Sequence, residues 1–317
     1  MKAMLIDAAK NLVWTDVPDP VRKPDEIVIA VRAAAINRAD LMQRAGNYPP
    51  PPGWPEWPGL EVAGTVAEAP AASRWRVGDR VCALLGGGGY AEHAAVPADM
   101  ALPVPAGLDW MAAAAIPEVW ATAYLNLVIE AGMQAGDTVF IQAGASGVGL
   151  AAIQLAKQYG AKIITTVGTA EKSAFVKALG ADVVVNRRTE PIGAVLDAHP
   201  VDIALDCVGG PHMGEHAAKL APWGRWIVIA ALAGARTELD LGLLFRKRIR
   251  IIGSTLRSRT SAMKADILKR LEAELWEGFA SGALRSILYR TLPITAAAEA
   301  HAILERNENI GKVVLTV

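Results

Sequence analysis

The sequence predicts an α/β protein in which a β-rich domain is interrupted by a doubly wound domain with a parallel sheet. The first hundred residues hold short β-prone runs separated by Gly, Pro and Asp, the pattern of a small barrel-like sheet. From about Leu108 to Thr255, almost wholly apolar strands alternate with helical stretches. Because such strands must be buried on both faces, this alternation indicates a parallel sheet covered by helices.

The individual elements follow in chain order. In the first domain the predicted strands are IVIAVRAAAI, EVAGTVAEA, GDRVCALL and YAEHAAVPADMALPVP. In the second domain the strands are DTVFIQAG, AKIITTVG, ADVVVN, VDIALDCVGG, RWIVIAAL and RIRIIGST, and the helices are LAAIQLAKQYG, EKSAFVKALG and HMGEHAAKLAPWG. The tail from about Arg257 holds two helical segments, KADILKRLEAELWEGFASG and AAAEAHAILERN, and the strand KVVLTV. We expect this last strand to return to the first domain.

The composition excludes some classes of partner. The chain has 317 residues, 52% hydrophobic and 20% charged, with a formal net charge of zero. A balanced charge provides no field that would collect nucleic acid or an anionic membrane, so we expect neither, and a small-molecule partner instead. Asp7 comes too early for a secretory signal and the apolar run 227–235 is too short to span a bilayer, which predicts a cytoplasmic protein. Cys82 and Cys207 are expected to be reduced core thiols.

A glycine-rich turn follows the first strand of the predicted parallel sheet. Its sequence is Gly144-Ala-Ser-Gly-Val-Gly149, and an amphipathic helix comes directly after it. Glycines in this place allow a tight turn and a close approach of the backbone to a pyrophosphate at the helix N-terminus. The alternative is a strand-to-helix turn that binds nothing. The strand before and the helix after favour a dinucleotide site, with cofactor-binding residues Gly144, Ser146, Gly147, Val148 and Gly149.

These motifs together carry a family resemblance. Nearly end to end, the chain resembles the zinc-free quinone oxidoreductases of the medium-chain dehydrogenase/reductase superfamily, closest to the NADPH quinone reductases related to the p53-inducible quinone oxidoreductase. The resemblance rests on AINRADLMQRAGNYPPPPG, GLEVAG, GDRVCALLGGGGYAEH, IPEVWATAY, AGASGVGLAAIQLAK, LDCVGG, GSTLRSR and NIGKVVL. It implies a GroES-like catalytic domain, residues 1–117 and 258–317, interrupted by a Rossmann NADPH-binding domain, residues 118–257.

The resemblance also implies that no metal is bound. In the zinc-dependent alcohol dehydrogenases of the superfamily, the catalytic metal is held by a Cys in the first-domain motif, a His before the glutamate of GLEVAG, and a later Cys. The matching places here hold Asn37, Leu60 and the stretch Pro117-Glu118-Val119, and the cysteine lobe for structural zinc is missing. Glu61 is then expected to be a structural anchor, with general acid chemistry as the alternative.

Further site residues come from the same resemblance. Tyr48 is expected near the nicotinamide, where its hydroxyl would bond the quinone oxygen; the alternative is a tyrosine that only supports the proline-rich segment 49–58. Asn37 is expected to contact cofactor and acceptor, since an amide can both donate and accept hydrogen bonds. The other residues that the resemblance assigns to the cofactor are Thr122, Ala231, Gly234, Leu256, Arg257 and Lys312.

The end of the second Rossmann strand predicts NADPH rather than NADH. NAD-specific folds place an acidic residue there to bind the ribose 2′-hydroxyl, and that carboxylate would repel a 2′-phosphate. Here the strand runs into Gly168 without an acid, and Glu171 comes too late. By resemblance Lys172 reaches the 2′-phosphate, and Arg187 offers a guanidinium for the same anion. The alternative is that both are ordinary surface cations.

The expected activity is hydride transfer from NADPH to a quinone or related electron-poor carbonyl, without zinc or flavin. Two alternatives stay open: an enoyl-thioester or enone reductase, and an NADPH-binding protein with little turnover. The cations of RKRIRIIGST are explained by an edge strand, kept from aggregation or paired in a homodimer. The segment His212-Met-Gly-Glu-His216 matches a zinc-peptidase pattern, but two surface histidines on a short helix are the favoured interpretation.

Overall fold

The computed structural model describes the whole chain, from Met1 to Val317. It divides into two compact units, which we call unit 1 (Met1–Ala121 and Arg257–Val317) and unit 2 (Thr122–Leu256). Unit 1 is built on mainly antiparallel strands and unit 2 on a parallel sheet. The predicted fold class, a β-rich domain interrupted by a doubly wound domain, is therefore confirmed.

The strands are between 3 and 10 residues long, the usual range in globular proteins. In chain order they are β1 (Lys2–Ile6), β2 (Leu12–Asp16), β3 (Glu26–Ala35), β4 (Glu61–Glu68), β5 (Arg80–Leu84), β6 (His93–Pro97), β7 (Ala101–Pro103), β8 (Thr138–Ile141), β9 (Lys162–Val167), β10 (Val183–Asn186), β11 (Val201–Asp206), β12 (Leu220–Val228), β13 (Arg250–Gly253), β14 (Leu288–Pro293) and β15 (Lys312–Thr316).

Several helices begin at a side chain that caps the first turn, namely Asp109, Ser146, Thr169, Asp240 and Thr260. In chain order they are α1 (Arg38–Ala45), α2 (Trp110–Ala114), α3 (Pro117–Tyr124), α4 (Gly147–Gln158), α5 (Ala170–Leu179), α6 (Ile192–Ala198), α7 (Met213–Ala217), α8 (Leu241–Lys247), α9 (Ser261–Ser281) and α10 (Ala297–Glu305).

Unit 1 contains a β1–β2 hairpin and a seven-stranded sheet. The sheet has the order β14-β15-β3-β4-β5-β7, and β6 pairs with β3 beside this path. The last strand of the chain pairs antiparallel with β3, with Val314 opposite Ala35. The expected return of the closing strand to the first domain is therefore confirmed, and it brings residues from both ends of the sequence into one sheet.

Unit 2 contains a six-stranded, wholly parallel sheet in the order β10-β9-β8-β11-β12-β13. Its core includes Phe140, Ile164 and Trp226, all fully buried. The carboxyl ends of parallel strands lie at one edge of the sheet, so the turns after β8, β9, β12 and β13 lie along that edge. Of the segment 246–255, rich in Arg and Lys, only Arg250–Gly253 forms the edge strand, β13, because Arg246 and Lys247 belong to the last turn of a helix; a homodimer stays a prediction.

One expected helix is shorter than the sequence suggests. Of the stretch HMGEHAAKLAPWG only Met213–Ala217 is helical, and Leu220 already belongs to β12. Pro222 cannot continue a helix, and Trp223 has a φ of 68°. No helix of the structure is both long enough and apolar enough to cross a membrane.

The contact between β3 and β4 generates a first prediction. A Cβ added to Gly64 in β4 would overlap the carbonyl oxygen of Ala30 in β3, so an alanine must push the two strands apart. We expect Gly64→Ala to lower the free energy of unfolding by about 1–3 kcal/mol, measured by urea denaturation. Gly253→Ala is the control, because its Cβ would have no neighbour within 4 Å. Equal stabilities of the two variants would contradict the packing argument.

Candidate functional site

A buried carboxylate, Glu61, forms the centre of the polar cluster in unit 1. Its side chain is 0% exposed. One carboxylate oxygen, Oε1, accepts a hydrogen bond from Asn37 Nδ2 at 3.0 Å and pairs with Lys312 Nζ at 2.8 Å. The other, Oε2, accepts the backbone N–H of Glu118 at 2.9 Å. Both oxygens therefore have partners, which favours the interpretation of Glu61 as an internal anchor over that of a general acid.

Glu61 and its two side-chain partners are brought together by three separate segments of the chain. Asn37 lies two residues after the end of β3 and is the N-cap of α1. Glu61 is the first residue of β4, and Lys312 is the first residue of β15. Lys312 Nζ also donates to Ile36 O at 2.5 Å and to Asn37 Oδ1 at 2.7 Å. An ammonium has three hydrogens, and all three have acceptors here. Lys312 is thus committed to holding Asn37 and Glu61, a role that its expected place at the cofactor did not include.

A second buried network lies beside the anchor and fixes α1. Asp40 is 0% exposed; its oxygens accept the backbone N–H of Asn37 at 2.7 Å and of Gly59 at 2.9 Å. Burial raises the pKa of Asp40 to about 6, although these two backbone donors lower it. Tyr90 donates its hydroxyl to Asp40 at 3.2 Å, and His301 Nε2 lies 3.3 Å from that hydroxyl. Burial lowers the pKa of His301 to about 3, so its ring is neutral.

Glu118 is a different kind of carboxyl. It lies in the first turn of α3, keeps some contact with solvent although protein atoms surround most of it, and its backbone N–H is held by Glu61. Its carboxyl has no hydrogen bond or ion pair. Burial, and then the charge of Glu61, raise the pKa of Glu118 to about 8, against the opposing effect of Lys312 and Lys264. From the sequence, Glu118 was expected only as part of the stretch Pro117-Glu118-Val119 that lacks a zinc ligand, and its role as a candidate acid was not predicted.

Tyr48 and Arg257 lie together in unit 1. The Arg257 guanidinium is 4.9 Å from the centre of the half-buried Tyr48 ring, and Arg257 Nη1 donates to Tyr48 O at 2.9 Å. It also donates to Gly86 O at 2.8 Å and to Gln43 Oε1 at 2.6 Å. Burial and the charge of Glu118 raise the pKa of Tyr48, so its hydroxyl stays protonated near neutral pH. The Arg257 side chain therefore supports the Tyr48 loop, and only its backbone stays a prediction for cofactor contact.

The glycine turn of unit 2 has the packing expected of a dinucleotide loop. A Cβ on Gly144 would overlap the Thr165 hydroxyl, and a Cβ on Gly149 would overlap the Ala143 carbonyl oxygen. Ser146 caps α4 by accepting the Gly149 N–H at 3.0 Å. These glycines bring β8, β9 and the start of α4 close together, so the backbone at the helix N-terminus fits a pyrophosphate.

Positive side chains gather at the end of β9. A Cβ on Gly168 would be 3.3 Å from Arg187 Nη2 and 3.6 Å from Arg188 Nε. Burial and then the charge of Arg187 lower the pKa of Lys172, with Arg188 acting in the same direction. The predicted Lys172 and Arg187 thus lie close enough to interact, and the structure adds Arg188, which the sequence analysis did not name. We call Lys172, Arg187 and Arg188 the cation cluster.

The remaining positions that were expected at the cofactor belong neither to the polar cluster around Glu61 nor to the cation cluster. Ala231 and Gly234 follow β12 in an exposed turn, where Gly234 has a φ of 129° and accepts the Gly210 N–H at 2.9 Å. Leu256 is buried beyond the end of β13, and Thr122 is buried in α3. Nothing in the geometry tests their expected contacts with the nicotinamide.

The histidine pair of the peptidase-like segment has little metal-binding character. His212 is the N-cap of α7 and His216 lies in the helix, with ring centres 6.3 Å apart. His212 pairs instead with Glu215 at 3.7 Å. No group of three or more His, Cys, Asp or Glu residues in the chain is arranged to hold a metal ion.

Comparisons with known proteins agree with this architecture. Residues 23–106 match the alcohol dehydrogenase GroES-like domain, and residues 147–273 match the zinc-binding dehydrogenase family. Human quinone oxidoreductase is 32% identical over 310 residues, which cover 95% of this chain and 92% of that protein. A highly reducing polyketide synthase of Cordyceps militaris is also 32% identical, over 97% of this chain but only 12% of the synthase.

Among solved structures, a crystal structure of an NAD-dependent alcohol dehydrogenase superposes with a TM-score of 0.87 at 29% identity, covering 100% of both chains. The sequence comparisons and the structural superposition thus extend over both units and indicate the same family. The chain therefore belongs to the medium-chain dehydrogenase/reductase superfamily, and it is an oxidoreductase that uses a nicotinamide cofactor and a small-molecule substrate.

Proposed function

We propose that this protein is an NADPH-dependent quinone reductase that reduces a quinone or a related electron-poor carbonyl without zinc or flavin. The observation that carries the proposal is the match to human quinone oxidoreductase, 32% identical over 95% of this chain and 92% of that protein. The match extends through both units, so the cofactor-binding and the acceptor-binding parts of that relative both have counterparts here.

The residues of unit 2 fit a dinucleotide. Gly144, Ser146, Gly147, Val148 and Gly149 would hold the pyrophosphate through backbone N–H groups at the start of α4. Ala231, Gly234 and Leu256, with Thr122, would contact the nicotinamide. When bound, the reduced nicotinamide supplies the hydride.

The cation cluster supports NADPH over NADH. A 2′-phosphate carries nearly two negative charges, and Arg187 and Arg188 concentrate positive charge beside Gly168, with Lys172 close enough to interact with both. Burial first, and then repulsion by Arg187 and Arg188, lower the pKa of Lys172, and a bound phosphate would relieve that repulsion. A ribose 2′-hydroxyl is neutral and would not relieve this repulsion. The strand end also offers no carboxylate to accept the hydrogen of that hydroxyl.

The residues of unit 1 would position and polarise the acceptor. The Tyr48 hydroxyl is a hydrogen-bond donor at neutral pH, and the Arg257 side chain holds its loop in place. Asn37 is oriented by Glu61 and Lys312, which use its amide nitrogen and oxygen respectively. Asn37 would therefore contribute mainly through the conformation of the chain at the start of α1, and Tyr48 through a direct bond to the acceptor oxygen.

Cofactor choice is tested by removing single cations. We expect Lys172→Ala and Arg187→Ala each to weaken NADPH binding by about tenfold or more, because a charge-assisted hydrogen bond to the 2′-phosphate is lost. Binding of NADH should hardly change. Isothermal titration calorimetry with both cofactors measures this, and Lys177→Ala, an exposed lysine on the same helix, is the control. Equal affinity of the wild-type protein for NADH and NADPH would refute the assignment.

The role of Tyr48 is tested by removing one oxygen atom. We expect Tyr48→Phe to lower kcat for a quinone by up to about tenfold, the worth of one neutral hydrogen bond, and to leave NADPH affinity unchanged. Steady-state kinetics with 1,2- and 1,4-quinones, enones and crotonyl thioesters provide the measurement. Tyr289→Phe, an exposed tyrosine of the same unit, is the control. Unchanged kinetics with every acceptor would give Tyr48 a packing role only.

Metal content is the third test. Asn37, Leu60 and Glu118 stand where the zinc-dependent relatives carry ligands, and Asn37 is already engaged by Glu61 and Lys312. We expect the purified protein to contain no stoichiometric zinc by atomic emission and to keep its full activity after dialysis against a chelator. One zinc per chain, with activity lost on chelation, would show that the proposal is wrong on this point.

A further inference from the structure

We propose that Glu118 is the acid that protonates the acceptor when the hydride arrives, a role that rests on the proposed quinone reduction. The carboxyl of Glu118 is the unpaired one among three neighbouring acids of unit 1. Glu61 has a partner on each oxygen, and so does Asp40. Glu118 has none, and it alone of the three keeps contact with solvent.

The backbone around Glu118 is nevertheless rigidly held. Its N–H donates to Glu61 Oε2 at 2.9 Å, and Glu61 is in turn fixed by Lys312 and Asn37. A side chain on a fixed backbone with an unengaged carboxyl can present its proton to a bound molecule without first breaking an internal hydrogen bond. A group that only maintained the fold would be expected to use its hydrogen-bonding capacity internally.

The charges that face Glu118 do not neutralise it. Glu61 on β4 and Asp40 on α1 favour its protonated form. Lys312 on β15 and Lys264 on α9 oppose them, but Lys312 has three acceptors already, and Lys264 Nζ donates to Arg257 O at 2.8 Å. Both lysines therefore act on Glu118 only through space. Burial is the largest cause of the raised pKa of Glu118, the charge of Glu61 comes next, and the resulting value of about 8 leaves Glu118 mostly protonated at pH 7.

Glu118 lies near the residue expected to touch the acceptor. Its charge raises the pKa of Tyr48 and acts on Arg257, whose guanidinium lies over the Tyr48 ring. A hydroxyl that donates a hydrogen bond and a carboxylic acid that donates a proton would thus serve the same acceptor. Tyr48 would polarise an oxygen of the acceptor, and Glu118 would deliver the proton.

The proposed step balances. The quinone receives one hydrogen and two electrons as hydride from NADPH and one proton from the Glu118 carboxyl, which gives the hydroquinone. NADPH is oxidised to NADP⁺, the O–H bond of the Glu118 carboxyl breaks, and an O–H bond of the product forms. The Glu118 carboxylate then recovers a proton from water through its exposed side.

The direction of the pH dependence follows from the protonated form being the active one. Turnover should be highest below the pKa of Glu118, which is about 8, and should fall as the pH rises through that value. With NADPH saturating, kcat of the wild-type protein should fall tenfold for each further pH unit.

Kinetics of Glu118→Gln provide the first measurement. We expect kcat for the quinone to fall about 100-fold below pH 8, the size of a general-acid contribution, with the alkaline decline abolished and NADPH affinity by calorimetry unchanged. Glu118→Asp keeps an acid and should recover part of kcat together with the decline. The matched control is Glu56→Gln, the same change at an exposed carboxyl of unit 1.

The second measurement needs no cofactor. In infrared difference spectra of wild type minus Glu118→Gln, the carbonyl band of a protonated carboxyl should be present at pH 7 and disappear near pH 8. Absence of that band at pH 7, or wild-type kcat and pH profile in Glu118→Gln, would overturn the role of Glu118 while leaving quinone reduction intact. A wild-type protein that reduces no quinone at any pH would overturn the proposed function, and this inference with it.

Discussion

The buried ion pair between Glu61 and Lys312 is the interaction on which the site of unit 1 depends. It joins the first residue of β4 to the first residue of β15, and through Asn37 and the Glu118 N–H it also fixes the starts of α1 and α3. Four segments that are distant in the sequence thus meet at one carboxylate. Removing one partner of a buried pair leaves an uncompensated charge and costs several kcal/mol, so these segments are tied to one geometry.

Glu61 organises the residues around it through direct contacts with other parts of the chain. Its oxygens are occupied by an amide, an ammonium and a backbone N–H. The same contacts limit what the partners can do. Lys312 and Asn37 form hydrogen bonds with Glu61 and with each other. The Arg257 guanidinium donates to Tyr48, Gly86 and Gln43. Among the polar side chains of these two neighbouring networks, the Tyr48 hydroxyl and the Glu118 carboxyl are the groups without an internal partner.

Much of the fold could be predicted from the sequence because its signals are local. Apolar strands alternating with helices correctly predicted the parallel sheet. The glycines at 144 and 149 are required by the close packing of this turn, which any sequence that forms it must allow. The helix at Met213 was predicted to be too long because β12 already begins at Leu220, where it pairs with Val201 of β11. That pairing, and the positive φ of Trp223, belong to the tertiary structure and not to the local sequence pattern. The acid at Glu118 was missed because its raised pKa depends on burial in the folded chain and then on Glu61, 57 residues away in the sequence.

Glu61 accepts the backbone N–H of Glu118, and its ion pair with Lys312 also bears on the pKa of the Glu118 carboxyl. Lys312 lies against Glu61 at 2.8 Å, so at Glu118 the two opposite charges partly cancel. Glu61 raises the pKa of Glu118 and Lys312 lowers it, which leaves burial as the largest cause of the shift. The anchor thus holds the Glu118 backbone while contributing little net charge to its surroundings. Lys312 is thus the direct partner of Glu61, whereas Glu118 has no such partner and its pKa is raised chiefly by burial.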